Sequence, residues 1–177
     1  MVESGKNCII FTSTKLKSFM GNLIGEYYCK LDAKGRIMIP AGLKKQLPPE
    51  ANEQFVVNRG FERCVALYPK NEWNGIAREI NKLNRFNKKN REFQRYFFRG
   101  ASPLAMDSTG RILIPKSLAA YAGIEYGVVL FAYGDYVEIW DKVTYENLLT
   151  DEPEDFANLA EEVMGDKEQH QDDKDLS

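Results

Sequence analysis

The chain has 177 residues, of which 44% are apolar, 12% aromatic and 28% charged, an ordinary globular mixture that excludes wholesale disorder and a fibrous repeat. A net charge of −2 conceals a strong polarity: residues 150–177 carry −9, the remainder +7, and residues 70–99 alone +6. A basic body suits a polyanionic partner, while a single histidine leaves catalytic triads and the common metal sites without their usual material.

Residues 1–20 lack periodicity and read as a flexible extension. Their longest apolar run, residues 8–11, is too short for a signal-peptide core, and no run in the chain reaches the roughly 18–20 residues of a membrane span. A soluble, cytoplasmic protein is expected. Cys8, Cys29 and Cys64 fit no zinc spacing and read as reduced thiols.

A strand is expected over residues 26–31, then a turn at Asp32-Ala33-Lys34-Gly35-Arg36. Aspartate there accepts backbone N–H bonds two or three residues on, and glycine supplies a positive φ. A strand over 36–39 ends at Pro40, which suits the first turn of a helix over 41–47 that Pro48 stops. Residues 55–58 and 65–68 read as a strand pair. Trp73, Ile76, Ile80 and Leu83 recur at helical spacing; residues 87–90 break the pattern, and Phe93, Tyr96 and Phe97 mark a second short helix. These aromatics read as packing surface rather than as a platform for bases.

The next segment repeats the first at an offset of 75. Asp32-Ala33-Lys34-Gly35-Arg36-Ile37-Met38-Ile39-Pro40 returns as Asp107-Ser108-Thr109-Gly110-Arg111-Ile112-Leu113-Ile114-Pro115, six of nine positions being identical. Around it lie an expected strand over 104–106, a helix over 116–122 stopped by Gly123, and a strand pair over 128–133 and 137–140. Each unit is marginal for a core of its own, so the two should bury their faces together as a fused pseudo-dimer. Residues 150–177 read as a mobile acidic tail with one or two helical turns around 156–164.

The duplicated Asp-x-x-Gly-Arg is the candidate site. A turn that holds arginine at its shoulder displays a planar, permanently charged fork suited to phosphate and to the guanine edge. Asp32 and Asp107 would orient Arg36 and Arg111, Gly35 and Gly110 would shape the turns, and Lys34 would add a phosphate contact. Ser108 and Thr109 offer weaker neutral donors in the second copy. Spacing alone equally allows plain turn salt bridges. A proton-sharing aspartate dyad, the enzymatic rival, is opposed by glycine three rather than two residues after aspartate, and by the adjacent arginine, which lowers rather than raises a carboxyl pKa.

The run Gly25-Glu26-Tyr27-Tyr28, then Leu31-Asp32, Lys34-Gly35-Arg36 and Ile39-Pro40, resembles the opening of MraZ proteins. So do Leu67-Tyr68-Pro69 with Trp73, Phe97-Phe98-Arg99-Gly100-Ala101-Ser102, the second Asp107–Pro115 segment, Ala122-Gly123-Ile124 and Val137-Glu138-Ile139-Trp140-Asp141. The resemblance covers residues 20–149. It implies a mainly β protein with short helices (α+β), in which two AbrB-like swapped-hairpin units, 21–70 and 101–149, form an intrachain pseudo-dimeric β-barrel around a helical connector, 71–100. It implies a ring-shaped homo-oligomer that binds short direct repeats in double-stranded DNA. The implied role is a nucleoid-associated regulator, commonly a repressor, of the division and cell-wall gene cluster including its own promoter. No enzyme activity, cofactor, metal, membrane or small-molecule substrate is expected. The family's DNA-contacting arginines fall on Arg36 and Arg111. Cys29 stands where many relatives have histidine, Arg99 where a small residue is usual, and the two extensions are atypical. Antitoxins share the implied fold.

Overall fold

The computed structural model describes residues 22–150 and 155–172. Residues through Lys142 form one compact unit and those from Val143 a second. The first unit holds β1 (Leu23–Lys30), β2 (Arg36–Met38), α1 (Ala41–Lys44), β3 (Gln54–Arg59), β4 (Val65–Pro69), α2 (Lys70–Asn81) and α3 (Lys88–Phe98). It continues through β5 (Ser102–Ala105), β6 (Arg111–Leu113), α4 (Lys116–Ala122), β7 (Gly127–Gly134) and β8 (Tyr136–Asp141). Then come α5 (Lys142–Thr150) and α6 (Phe156–Asp172). The chain is thus mainly β with short helices.

The pairing order is β1-β7-β8-β4-β3-β5, with β2 and β6 forming a separate two-stranded sheet. If each strand of the first repeat is exchanged for its counterpart in the second, both orders read the same backwards. The first strand of each repeat pairs with the third strand of the other: β1 with β7, β5 with β3. The two self-matching pairs, β2 with β6 and β4 with β8, mark a pseudo-two-fold axis. At one of them Ile37 lies opposite Ile112, flanked by Arg36 opposite Leu113 and Met38 opposite Arg111. This interleaving satisfies backbone groups that neither repeat could satisfy alone.

The ladder does not close into the expected barrel. β1 and β5 are open edges of the six-stranded sheet. β5 has four residues and includes Pro103, which has no N–H to offer a further strand. β2 and β6, three residues each, pair with each other; beyond that pair a single bridge, Leu31 to Ile37, reaches from the end of β1, which is too little to close the gap.

The core is shared. Phe55, Leu67 and Ile37 from the first repeat pack with Ile112, Leu130 and Ile139 from the second, and all six are buried. Leu43 and Leu118, equivalent residues of α1 and α4, are buried in the same cluster. α1 ends at Lys44 rather than at residue 47. There the Gln46 side chain turns back on the edge of β1, accepting from the Ile24 N–H and donating to the Ile24 carbonyl, both at 2.9 Å. It mimics a strand neighbour and ends the helix.

α2 packs on β3 and β4, and α3 on β3. Trp73 stacks on Phe97 at 5.7 Å between centroids and meets Tyr68 at 5.5 Å. The second connector helix begins inside the expected break. Asn87 caps it, its side chain accepting from the Lys89 N–H at 2.9 Å, so a residue that reads as a helix breaker serves as a helix start. α6 has 17 residues, longer than the one or two expected turns. Its Ala, Leu, Glu and Met content favours helix, and Asp155 accepts the Asn158 N–H at 3.0 Å at its start. The expected N-terminal extension lies outside the described residues, as does Cys8; Cys64 is buried and Cys29 half-buried, both as free thiols. No helix among the described residues is long and apolar enough to cross a membrane.

Candidate functional site

The two Asp-x-x-Gly-Arg turns are built alike. In the first, Asp32 Oδ1 accepts from the N–H groups of Lys34 and Arg36, at 2.9 and 3.0 Å. The Gly35 N–H donates to the Asp32 carbonyl at 2.9 Å, with φ +78° at Gly35. In the second, Asp107 Oδ1 accepts from the N–H groups of Thr109 and Arg111, at 2.9 and 3.0 Å, and Gly110 donates to the Asp107 carbonyl with φ +82°. One carboxylate oxygen in each copy therefore closes the turn. The other is left for the arginine, and Nε donates to it at 2.7 Å from Arg36 and 3.0 Å from Arg111.

Pairing of β2 with β6 brings the two turns together. Arg36 Nη1 lies 3.9 Å from Asp107 Oδ2, and Arg111 Nη1 lies 3.9 Å from Asp32 Oδ2. Two forks and two carboxylates thus form one cross-braced cluster. Backbone bonds across the axis hold it: Ile39 N–H to the Gly110 carbonyl at 2.9 Å, and Ile114 N–H to the Gly35 carbonyl at 3.0 Å. The own-turn contacts are short and the cross-turn contacts long. A docking anion has only the weaker set to displace.

The arginines do not project as free prongs. Their side chains are 25% and 29% exposed, with Nε and, for Arg36, Nη2 committed to the turn carboxylate. Lys34 is exposed beside them. Thr109 takes a turn role rather than that of a free donor, its hydroxyl donating to Asp107 Oδ1 at 2.6 Å.

Both carboxyls are held below the usual range. For Asp32 the leading cause is the backbone N–H of Arg36; for Asp107 it is the Thr109 hydroxyl, followed by the backbone N–H of Arg111. A proton-sharing dyad needs one carboxyl held above that range, so the geometry opposes the protease-like alternative.

Sequence reasoning placed the seven residues Asp32, Lys34, Gly35, Arg36, Asp107, Gly110 and Arg111 on two turns, and the structure brings both turns to one place. It missed the cross-turn pairs. The available signal was the duplication: a motif repeated about an axis meets its own copy.

A family model described as "MraZ protein, putative antitoxin-like" matches residues 23–96 and 97–167. The chain is 53% identical over 147 residues to the transcriptional regulator MraZ of Christiangramia forsetii, covering 82% of this chain and 95% of that protein. It is 49% identical over 147 residues to the protein of the same name from Flavobacterium psychrophilum, covering 82% and 94%. With that of Cytophaga hutchinsonii it shares 42% identity over 145 residues, covering 82% and 96%.

Proposed function

The chain belongs to the MraZ family, and on that premise we propose that it is a sequence-specific regulator of transcription that binds double-stranded DNA through Arg36 and Arg111. The observation that supports this reading is the meeting of two equivalent Asp–Arg turns across one pseudo-two-fold axis. A paired fork at fixed spacing suits the repeating phosphates and base edges of a duplex.

Asp32 and Asp107 keep hold of Nε while DNA replaces the long cross-turn contacts at Nη1. The forks are thereby preorganised, and little rotamer freedom is lost on docking. Gly35 and Gly110 supply the positive φ that places each arginine, and Lys34 meets a phosphate. We read residues 21–70 and 101–149 as two AbrB-like swapped-hairpin domains joined by the connector 71–100. The protein assembles as a ring, so that several pairs of turns meet successive direct repeats at high effective concentration. It acts in the cytoplasm at the nucleoid, repressing the division and cell-wall gene cluster and its own promoter, without catalysis, cofactor or metal. The antitoxin-like wording of the family description supports a second reading; a toxin that co-purifies with the chain would favour it.

The test is fluorescence anisotropy on DNA from upstream of the chain's own gene, against a scrambled duplex. Arg36→Ala and Arg111→Ala each lose the preference for the upstream sequence while light scattering shows unchanged assembly. Retained preference in both variants overturns the reading.

A further inference from the structure

A second site lies on the face of the six-stranded sheet turned away from the shared core. Asn58 pairs with Ala66, Ala66 with Glu138, and Glu138 with Phe131, so these four share that face while their neighbours Val57, Leu67, Ile139 and Leu130 fill the core. Ala66 is the smallest side chain of the row. Above it, beneath α3, is a cavity of about 180 Å³ whose walls include Tyr68, Tyr136 and Phe97.

Glu138 sits in the cavity floor, only 8% exposed. Its Oε1 lies 2.9 and 3.1 Å from the hydroxyls of Tyr133 and Tyr136, which also hydrogen-bond each other at 2.5 Å, and its Oε2 accepts from the Trp140 indole N–H at 2.9 Å. All three partners are neutral. Among the described residues no lysine or arginine forms an ion pair with it. Arg59, which also borders the cavity, lays its guanidinium over the Tyr121 ring, 4.6 Å from the centroid. A carboxyl group buried this far has a cation as its usual partner. Its field is felt nearby: burial first, then the Glu138 charge, pushes the Cys64 thiol up to about 12. The mouth is ringed by exposed aromatics, Phe61 at 80% and Tyr96 at 65%.

Aromatic faces around a buried carboxylate are the chemistry that recognises an organic cation. We propose that this cavity binds a small organic ammonium ion, the rings enclosing its alkyl groups and Glu138 supplying the opposite charge. The volume is close to the roughly 150 Å³ that holds a benzene-sized guest, which suits one trimethylammonium head and little more. Such a ligand is bound, not transformed, and the inference does not depend on the DNA reading.

Trp73 stacks on the wall residue Phe97, and Trp140 donates to Glu138, so intrinsic fluorescence reports on the cavity. The experiment titrates the full chain, without DNA, with choline and with its neutral isostere carrying carbon in place of the ammonium nitrogen, at constant ionic strength. Choline gives a saturable change, and the neutral isostere binds more weakly by roughly tenfold or more, the size a desolvated cation–aromatic contact supplies. Glu138→Gln removes that preference. Tyr96→Ala, at the exposed mouth, keeps the fold and weakens choline several-fold, which decides the matter if circular dichroism shows the Glu138 variant unfolded. Equal binding of the two probes overturns the proposal, as does a wild-type chain that saturates with neither, a folded Glu138→Gln that keeps the preference, or a Tyr96→Ala that binds choline unchanged.

Discussion

Asp32 and Asp107 divide their oxygens between two tasks, one closing the turn and the other holding the guanidinium. That division was legible in the Asp-x-x-Gly-Arg spacing, because the bonds it needs are local. The reach of each arginine to the other copy's carboxylate was not, because it depends on pairing between strands whose partners stand 73–77 positions apart in sequence. The acid behaviour of the site follows from the same bonds. Folded Asp107 is more acidic than the unfolded chain's aspartate, at about 3.9. Its contribution to stability is therefore present above that value and is lost as pH falls below it. Melting curves of wild type and Asp107→Asn should differ by a constant gap from pH 7 to about pH 5, narrowing as pH falls from about 4. A gap that widens in acid would contradict the assignment. Gly110 adds a steric test. At φ +82° a side chain is strained, although the nearest atom to an added Cβ, Met38 Sδ at 3.7 Å, leaves room. Gly110→Ala should cost about 1 kcal/mol in urea unfolding and weaken DNA binding through the misplaced Arg111.

The short strands β2 and β6 place the whole site. Ile37 and Ile112 lie opposite each other with no solvent exposure, so the chemistry at the surface stands on a fully packed pair beneath it. Ile112→Ala should cost about 2–5 kcal/mol, measured by chemical denaturation, and should loosen both turns together rather than the second alone. The connector was only partly legible. Its apolar period gave α2, but Asn87 reads as a helix breaker in sequence and caps α3 in the structure. Polar residues that compete with the backbone in mid-helix satisfy it at an end, and position decides which. Asn87→Ala should lower thermal stability by about 1 kcal/mol and leave β-sheet circular dichroism unchanged. In the sequence Glu138 stands in an expected strand and in a segment that carries the family resemblance, with no role of its own, because alternation along β8 records which face a side chain takes and not what covers that face.

At the scale of the whole chain, duplication is the organising fact. The repeats exchange their first strands, so the compact unit is the pair and not the repeat. The sequence showed the repeat and implied the shared core, since units of this size are marginal in the surface they can bury alone. It did not show that the ladder stays open at β1 and β5, which rests on strand lengths and on Pro103. The proposed ring, by multiplying weak contacts, should bind DNA with one repeat weakly and DNA with two or four repeats far more tightly, with a steep loss as salt rises. Equal affinity for all three duplexes in a gel shift would contradict the ring. The central claim, that paired arginine forks touch the double helix, is tested most directly by a crystal structure of the full chain bound to DNA from upstream of its own gene. The expected result has Arg36 and Arg111 within hydrogen-bonding distance of phosphates or base edges, still held by Asp32 and Asp107. Both forks closed on the carboxylates, with DNA on another face, would contradict it.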